Sequence, residues 1–350
     1  MSKKINLCII GLGRAGRIHL DAITRLDSCF LKYVVDPGIA WNDPIVRAHK
    51  FTLLNKTADA LSDEQVDGVI VSAPTESHFQ IICEALEAGK HVFTEKPLGK
   101  STHEIKTCYK LAQKKGLALY LGFQRRYDAN FIALKESIKT IGQVRIVKMS
   151  SRDNPKPSLD YLKISGNIFH DMLIHDFDMI QFLMGDNIPD VITAFGHAYD
   201  QDIKKIPDYD TVLVTLKYGD GLICAIDTSR SADYGYDQRI ELFAEKGMVI
   251  AKNQKNNTIE VHTKTGSYSD PINYSFPERY MEAYEAEMVD FITAIRSDKR
   301  TNISERECLI SHLIAEAAYT SAMTDRVINF KKEYANEIDS PIKQGFKKIK

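Results

Sequence analysis

The chain lacks most of the features that would assign it to a specialised class. Its six cysteines (Cys8, Cys29, Cys83, Cys108, Cys224 and Cys308) are scattered over 350 residues without a single C-x-x-C pair. That excludes zinc ribbons and dithiol redox motifs, which need close pairing. Several sit inside apolar runs and read as small buried hydrophobes in a reducing compartment. An excess of one charge is also missing: 46 Lys and Arg against 47 Asp and Glu leave a net charge of -1. There is thus no electrostatic case for nucleic acid or an anionic membrane surface as partner. No stretch approaches the roughly 18 apolar residues of a membrane helix. The short apolar run after Lys4 leads into a glycine motif, not a signal-peptide cleavage site. Repeats and low-complexity linkers are absent as well. A cytoplasmic protein with no membrane and no nucleic-acid partner is expected, and the Lys-rich end (Lys343, Lys347, Lys348, Lys350) reads as a solvated tail.

What is present is a clear rhythm. In the first third, short apolar runs (Ile5 to Ile10, Leu31 to Val35, Gly68 to Ser72, His91 to Thr94, Ala118 to Gly122) alternate with helical patterns. The helices are Arg14 to Leu26, with apolar Ile18, Ala22 and Leu26 on one face, Phe79 to Ala88, and Thr102 to Lys115. Apolar strands alternating with helices predict a parallel sheet covered on both faces.

After about Gln124 the pattern changes to successive strands: Val144 to Ser150, Val191 to His197, Thr211 to Tyr218, Gly221 to Ser229, Arg239 to Ala244, Gly247 to Ala251 and Thr258 to Thr263. Hairpin signals stand at Tyr218-Gly219-Asp220-Gly221 and Glu245-Lys246-Gly247, so this sheet should be antiparallel. Two helical patterns close the chain, Glu278 to Ser297 and Ser304 to Thr324, the second opened by a Ser304/Glu307 capping box. The fold class is therefore α/β. A doubly wound parallel sheet occupies residues 1–123, an α+β domain with an open, mainly antiparallel sheet residues 124–335, and a basic tail residues 336–350.

Three segments carry chemistry. Gly11-Leu12-Gly13-Arg14-Ala15-Gly16 follows a strand and opens a helix. Gly11 would make the tight turn, Gly13 let backbone approach a pyrophosphate, and Gly16 allow close helix–strand packing. The helix N-terminus supplies amides and partial positive charge to phosphates. Asp36, at the end of the second strand, can accept both ribose hydroxyls of NAD and would repel a 2′-phosphate. Pro37 and Gly38 offer no arginine to hold one, so NAD is expected over NADP.

The second segment, Thr94-Glu95-Lys96-Pro97, ends a strand at the sheet edge where ligands bind. Lys96 there can reach a substrate oxygen, or be solvated while Pro97 shapes a turn. The third, Gly166 to Ile180, crowds His170, Asp171, His175, Asp176 and Asp178 into one helical stretch. Asp171 and His175, four apart, share a face and suit proton transfer. A satisfied core histidine explains one residue only. A metal site would need a third ligand that no other segment supplies, so no metal is expected.

Taken together these residues identify a resemblance. The chain is similar, to about residue 330, to the glucose–fructose oxidoreductase, inositol dehydrogenase and rhizopine-catabolism family. The motifs are Gly11 to Gly16, Ala73-Pro74-Thr75 with His78, Glu95-Lys96-Pro97, and Gly122-Phe123-Gln124-Arg125-Arg126-Tyr127-Asp128. Ser165 to Phe169 running into Asp171-Met172 and Ile174 to Met179, with Tyr234 to Arg239, most resembles the inositol 2-dehydrogenases.

The resemblance implies a Rossmann domain, a second sheet used to form a homotetramer, and a catalytic group of Lys96, Asp171 and His175. It implies NAD contacts from Gly11, Gly13, Arg14, Ala15, Asp36, Ser72, Ala73, Thr75, His78, Glu95, Lys96 and Gln124. Polyol contacts are implied for Lys96, Arg126, Asp153, Asn154, Asp171, His175 and Tyr236. The reaction implied is oxidation of a cyclic polyol, myo-inositol to its 2-keto product scyllo-inosose. A related sugar or dihydrodiol dehydrogenase is the alternative. A non-catalytic NAD-binding sensor would have no use for Lys96, Asp171 and His175. In one place the sequence departs from the family: Ser-Arg-Asp-Pro becomes Ser151-Arg152-Asp153-Asn154-Pro155, and the added asparagine bears on which polyol is taken.

Overall fold

The computed structural model describes residues 4–185, 187–297 and 299–340. Two compact units emerge. The first holds a six-stranded parallel sheet of β1 (Ile5–Ile10), β2 (Cys29–Val35), β3 (Thr52–Leu54), β4 (Gly68–Val71), β5 (His91–Glu95) and β6 (Leu119–Gly122). Their order is β3-β2-β1-β4-β5-β6. The order reverses between β1 and β4, so the chain leaves those strands in opposite directions and opens a crevice beyond their carboxyl ends. Leu7, Cys8, Ile9, Val69 and Ile70 have no exposed surface, as expected for strands covered on both faces.

Helix limits follow local chemistry. Ser101 accepts the Glu104 amide at the start of Thr102–Lys115, and Gly116 ends that helix in the left-handed region at φ 66°. Edge strand β3, only three residues long, was not anticipated from the sequence. Three residues are too few to show a period.

The second unit spans Phe123–Tyr284 and Ile310–Glu333. Its sheet contains β7 (Val144–Arg152), β8 (Val191–His197), β9 (Thr211–Lys217), β10 (Ile223–Ser229), β11 (Asp237–Ala244) and β12 (Gly247–Ala251). Next come β13 (Glu260–Thr263) and β14 (Gly266–Ser269), which form a separate hairpin, and then β15 (Ile328–Asn329). The large sheet runs β12-β11-β7-β10-β9-β8-β15, antiparallel throughout except for β10 beside β7. Both expected hairpins form. The segment at Thr258 to Thr263, expected in this sheet, belongs instead to the exposed hairpin. Inward side chains of β9 (Val212, Val214, Leu216) are buried, while Thr211, Leu213, Thr215 and Lys217 face out.

The expected contiguous second domain, 124–335, differs from the observed division. Residues Glu285–Leu309 and the described residues from Tyr334 to Ser340 group with the first unit. The cause is packing. Phe291 meets Phe93 and Tyr120 at ring-centroid distances of 5.8 and 5.6 Å, and Lys106 donates to the carbonyls of Glu337 and Ser340. Residues 330–339, expected as the end of the second domain and the start of the tail, form a helix, Phe330–Asp339. The tail lysines from Lys343 onward lie outside the described residues. A helix at Ala129–Ile141, capped by Asp128, was also not read from the sequence. The Ser304/Glu307 capping box is present in both directions, Ser304 N–H to Glu307 and Glu307 N–H to Ser304 Oγ. Among the described residues no helix is long and apolar enough to cross a membrane.

Candidate active site

In the first unit the glycine loop is built as its spacing requires. Gly11 has φ +93°, and a Cβ there would lie 2.6 Å from the Ala73 amide nitrogen. A Cβ on Gly16 would sit 2.1 Å from the Gly11 carbonyl oxygen, so helix and strand pack too closely for any side chain. Gly13 faces open space, with nothing within 4 Å of an added Cβ. The helix Arg14–Thr24 begins there with no side-chain cap and no acidic residue in its first turn. The amides and partial positive charge of a helix N-terminus favour an anion, and the cradle fits the pyrophosphate of a dinucleotide.

Asp36 follows β2 and accepts the Leu12 amide on Oδ2 at 2.7 Å and the Gly38 amide on Oδ1 at 2.8 Å. Each carboxylate oxygen has a second acceptor position, so the group can still take ribose hydroxyls. Ser72 spends its hydroxyl on the Gly11 carbonyl at 2.7 Å, which braces the loop from below. His78 is buried, its two ring nitrogens 2.8 Å from the carbonyl oxygens of Pro97 and Ala73. It ties the turn after β4 to the turn after β5. Ala73 and Thr75 stand at the start of helix Thr75–Glu87.

Glu95, also expected at the cofactor, is buried with its carboxylate 2.6 Å from His19 Nε2. Burial pulls its pKa up, but His19 and the charges of Lys96 and His78 outweigh it and hold the carboxyl below its usual value. Lys96 comes next, half-buried, on the cis Lys96-Pro97 bond at the end of β5.

In the second unit the crowding of charged residues resolves into separate tasks. Arg125 donates to Asp176 at 2.7 Å, and Ser151 also donates to Asp176, all three buried. Arg126 grips Asp178 with Nε and Nη2 at 2.7–3.1 Å, and the Phe182 ring lies beneath its guanidinium. Arg126 thus anchors a buried carboxylate. His170 stacks edge-on with His312 at 5.6 Å and meets Asn167 at 3.0 Å.

Asp171 and His175 are the pair expected to carry the chemistry. They lie on one wide turn, π-helical over Phe169–Leu173, that continues as α-helix over Ile174–Met184. The sequence pattern predicts a regular helix here. Wide turns of this kind recur at functional sites. His175 rests against Phe123, ring edge to face at 5.5 Å. Asp171 accepts from Tyr161 and from Arg230.

The remaining expected contacts also have places. Gln124 is buried in the turn Gln124–Tyr127. Tyr236 is enclosed by Phe276 and Tyr280, and burial raises its hydroxyl pKa well above the ordinary range, with Arg125 alongside. Asp153 pairs its backbone with Ser229 and Ala232. The added Asn154 turns its amide onto the Tyr274 carbonyl at 2.9 Å. Since Tyr236 N–H donates to the neighbouring Asn273 carbonyl, Asn154 ties its loop to the segment that carries Tyr236. Sequence reasoning missed Arg230, Asp208 and Tyr161. The one available signal was that two adjacent arginines, Arg125 and Arg126, match Asp176 and Asp178 and so leave Asp171 in need of its own cation. Among the described residues no group of three or more His, Cys, Asp or Glu is arranged to hold a metal.

Known proteins bear on both units. The model of an oxidoreductase family with an NAD-binding Rossmann fold matches residues 5–123. The family's C-terminal alpha/beta domain matches residues 135–330. The chain is 36% identical over 324 residues to the inositol 2-dehydrogenase of Rhizobium meliloti, covering 92% of this chain and 98% of that one. It is 34% identical over 331 residues to the myo-inositol 2-dehydrogenase of Thermotoga maritima, covering 93% and 98%. Among solved structures, the scyllo-inositol dehydrogenase of Lactobacillus casei, with NAD(H) and scyllo-inositol bound, matches with a TM-score of 0.85 at 26% identity, covering 93% of this chain and 99% of that one. The first domain is an NAD-binding domain and the chain an NAD-dependent dehydrogenase.

Proposed function

This chain belongs to that oxidoreductase family, and we propose that it oxidises a ring carbinol of a cyclic polyol, myo-inositol to scyllo-inosose. The observation that carries the reading is the division of labour on the wide turn. Arg125, Arg126 and His312 engage Asp176, Asp178 and His170, whereas Tyr161 and Arg230 orient Asp171 on the turn it shares with His175, in a chain that also carries Lys96 after β5. Bound NAD+ supplies the hydride acceptor. His175 takes the carbinol proton, as an imidazole can near neutral pH. The Lys96 ammonium stabilises the developing alkoxide, an effect of about 3 to 4 kcal/mol for one well-placed donor. Asp171 accepts neighbouring ring hydroxyls and favours the imidazolium that forms on His175. Asp36 selects NAD over NADP by charge.

The relatives act on inositols by name, which favours this substrate class. The Asn154–Tyr274 tie alters a loop beside Tyr236 and supports a second reading, a related sugar as substrate. NADH formation across a panel of inositol isomers and aldoses decides between them. Activity on myo-inositol above every aldose is expected, and an aldose turned over more efficiently than any inositol would overturn the first reading.

The outer face of the second sheet exposes Phe195, Leu213, Phe243, Met248 and Ile250. A face this apolar is a liability in a monomer, which supports a homotetramer built on it. All six cysteines are free thiols, in keeping with a cytoplasmic location.

A further inference from the structure

The Asp171 carboxylate is held on both oxygens. Tyr161 donates its hydroxyl to Oδ1 at 2.8 Å, and Arg230 donates Nη1 to Oδ2 at 3.0 Å. Arg230 has no exposed surface at all. Its second prong, Nη2, reaches Asp208 Oδ2 at 2.7 Å, while Nε points at the Tyr209 carbonyl at 3.3 Å. Asp208 in turn accepts the Ile168 amide on Oδ1 at 2.8 Å. Ile168 directly precedes the wide turn, so one buried aspartate fixes both the guanidinium and the backbone that presents Asp171.

Burying an arginine is costly unless its donors are all used. Here the guanidinium is spent on orienting a second carboxylate that lies at the proposed site. Two donors from different elements, one on each oxygen, fix the plane of the carboxylate as well as its position. A carboxylate oxygen accepts more than one hydrogen bond, so a donor already in place does not bar a substrate hydroxyl.

We infer that Tyr161 and Arg230 are positioning residues that preorganise Asp171 to receive two neighbouring hydroxyls of a polyol. This rests on the reading of Asp171 as a substrate ligand. Neither residue needs to touch substrate for the effect, because a carboxylate already locked in orientation loses less freedom when the polyol binds.

The test is steady-state kinetics on the full chain with NAD+ and the inositol isomer it turns over best. Four variants are compared: Tyr161→Phe, Arg230→Lys, Asp171→Asn, and Tyr161→Phe combined with Asp171→Asn. The Tyr161 ring is partly exposed, so removal of its hydroxyl should leave the melting temperature within about 2 °C. It should lower kcat/KM roughly tenfold, as expected for a hydrogen bond to a charged group, with most of the loss in KM.

The acid limb of kcat/KM should also move to higher pH. The groups facing Asp171 are Tyr161, Arg230 with Asp208 behind it, and His175 four residues along its own helix; the Asp153 charge is felt at Tyr161. Removing a donor from an ionised carboxylate favours its protonated form, which fixes that direction. Arg230→Lys keeps the charge but loses the fork and should show the same KM-weighted loss; if it fails to fold, Tyr161→Phe alone decides.

With Asp171→Asn already present, Tyr161→Phe should change kcat/KM no further. A full additional loss there, or an unchanged KM and acid limb in the single variant, would overturn the positioning role. Normal kinetics in Asp171→Asn would instead defeat the reading of Asp171 itself, and this proposal with it.

Discussion

The Asp36 carboxylate accepts the Leu12 amide at 2.7 Å, so the side chain expected to choose the cofactor also holds the glycine loop that cradles it. Its two tasks can be separated. Asp36→Asn keeps an acceptor for Leu12 but removes the charge, and should relax the preference for NAD+ while leaving the loop in place. Asp36→Ala loses both and should weaken NAD+ roughly tenfold or more, the scale of a charged hydrogen bond. Kinetics with both cofactors check this, and an unaltered enzyme that prefers NADP+ would contradict the assignment.

His170 and His312 pack against each other behind the wide turn. Burial, together with the neighbouring imidazole, pushes His170 down to about 3, and burial pushes His312 down to about 4. Both are therefore neutral in the folded chain at pH values where an unfolded histidine has taken a proton. Their contribution to stability is fully present above about pH 6.5 and is lost as the pH falls toward 4 and 3. Melting temperature should decline across that window, and His312→Phe should flatten part of the decline. An identical pH dependence in that variant would show that the pair is not responsible.

The apolar outer face of the second sheet makes assembly testable. Light scattering at micromolar concentration should give the mass of four chains. Leu213→Lys combined with Ile250→Lys places two charges on that face and should yield smaller species without loss of the fold. A monomer mass for the unaltered chain would rule out the proposed assembly.

Much of this was legible in the sequence because the relevant signals are local. The glycine loop, the strand–helix alternation, both hairpin turns and the Ser304/Glu307 box each depend on residues a few positions apart. The misses share a different cause. Edge strand β3 is too short to show a period. The first unit reclaims Glu285–Leu309 through long-range ring contacts of Phe291 that no window of sequence reveals. Lys96, Asp171 and His175 were legible as candidates from residue type and spacing. That Arg126 serves Asp178, that His78 and Glu95 brace the fold beneath the loop, and that Arg230 holds Asp171 are pairings across 19 to 76 residues. They depend on which side chains the fold buries together, and burial forces each ion or imidazole to find a partner.

The central claim is that His175 moves the proton and Lys96 supplies the charge. Single-turnover and steady-state kinetics of His175→Ala, with NAD+ affinity measured separately, test it most directly. The expected result is a fall in kcat of roughly 100-fold or more, the usual contribution of a positioned acid–base group, with NAD+ affinity nearly unchanged. Lys96→Ala should lose as much, and the double variant little more, since the two act in one step. If His175→Ala retains near-normal kcat on a polyol that the unaltered enzyme uses well, His175 is not the base.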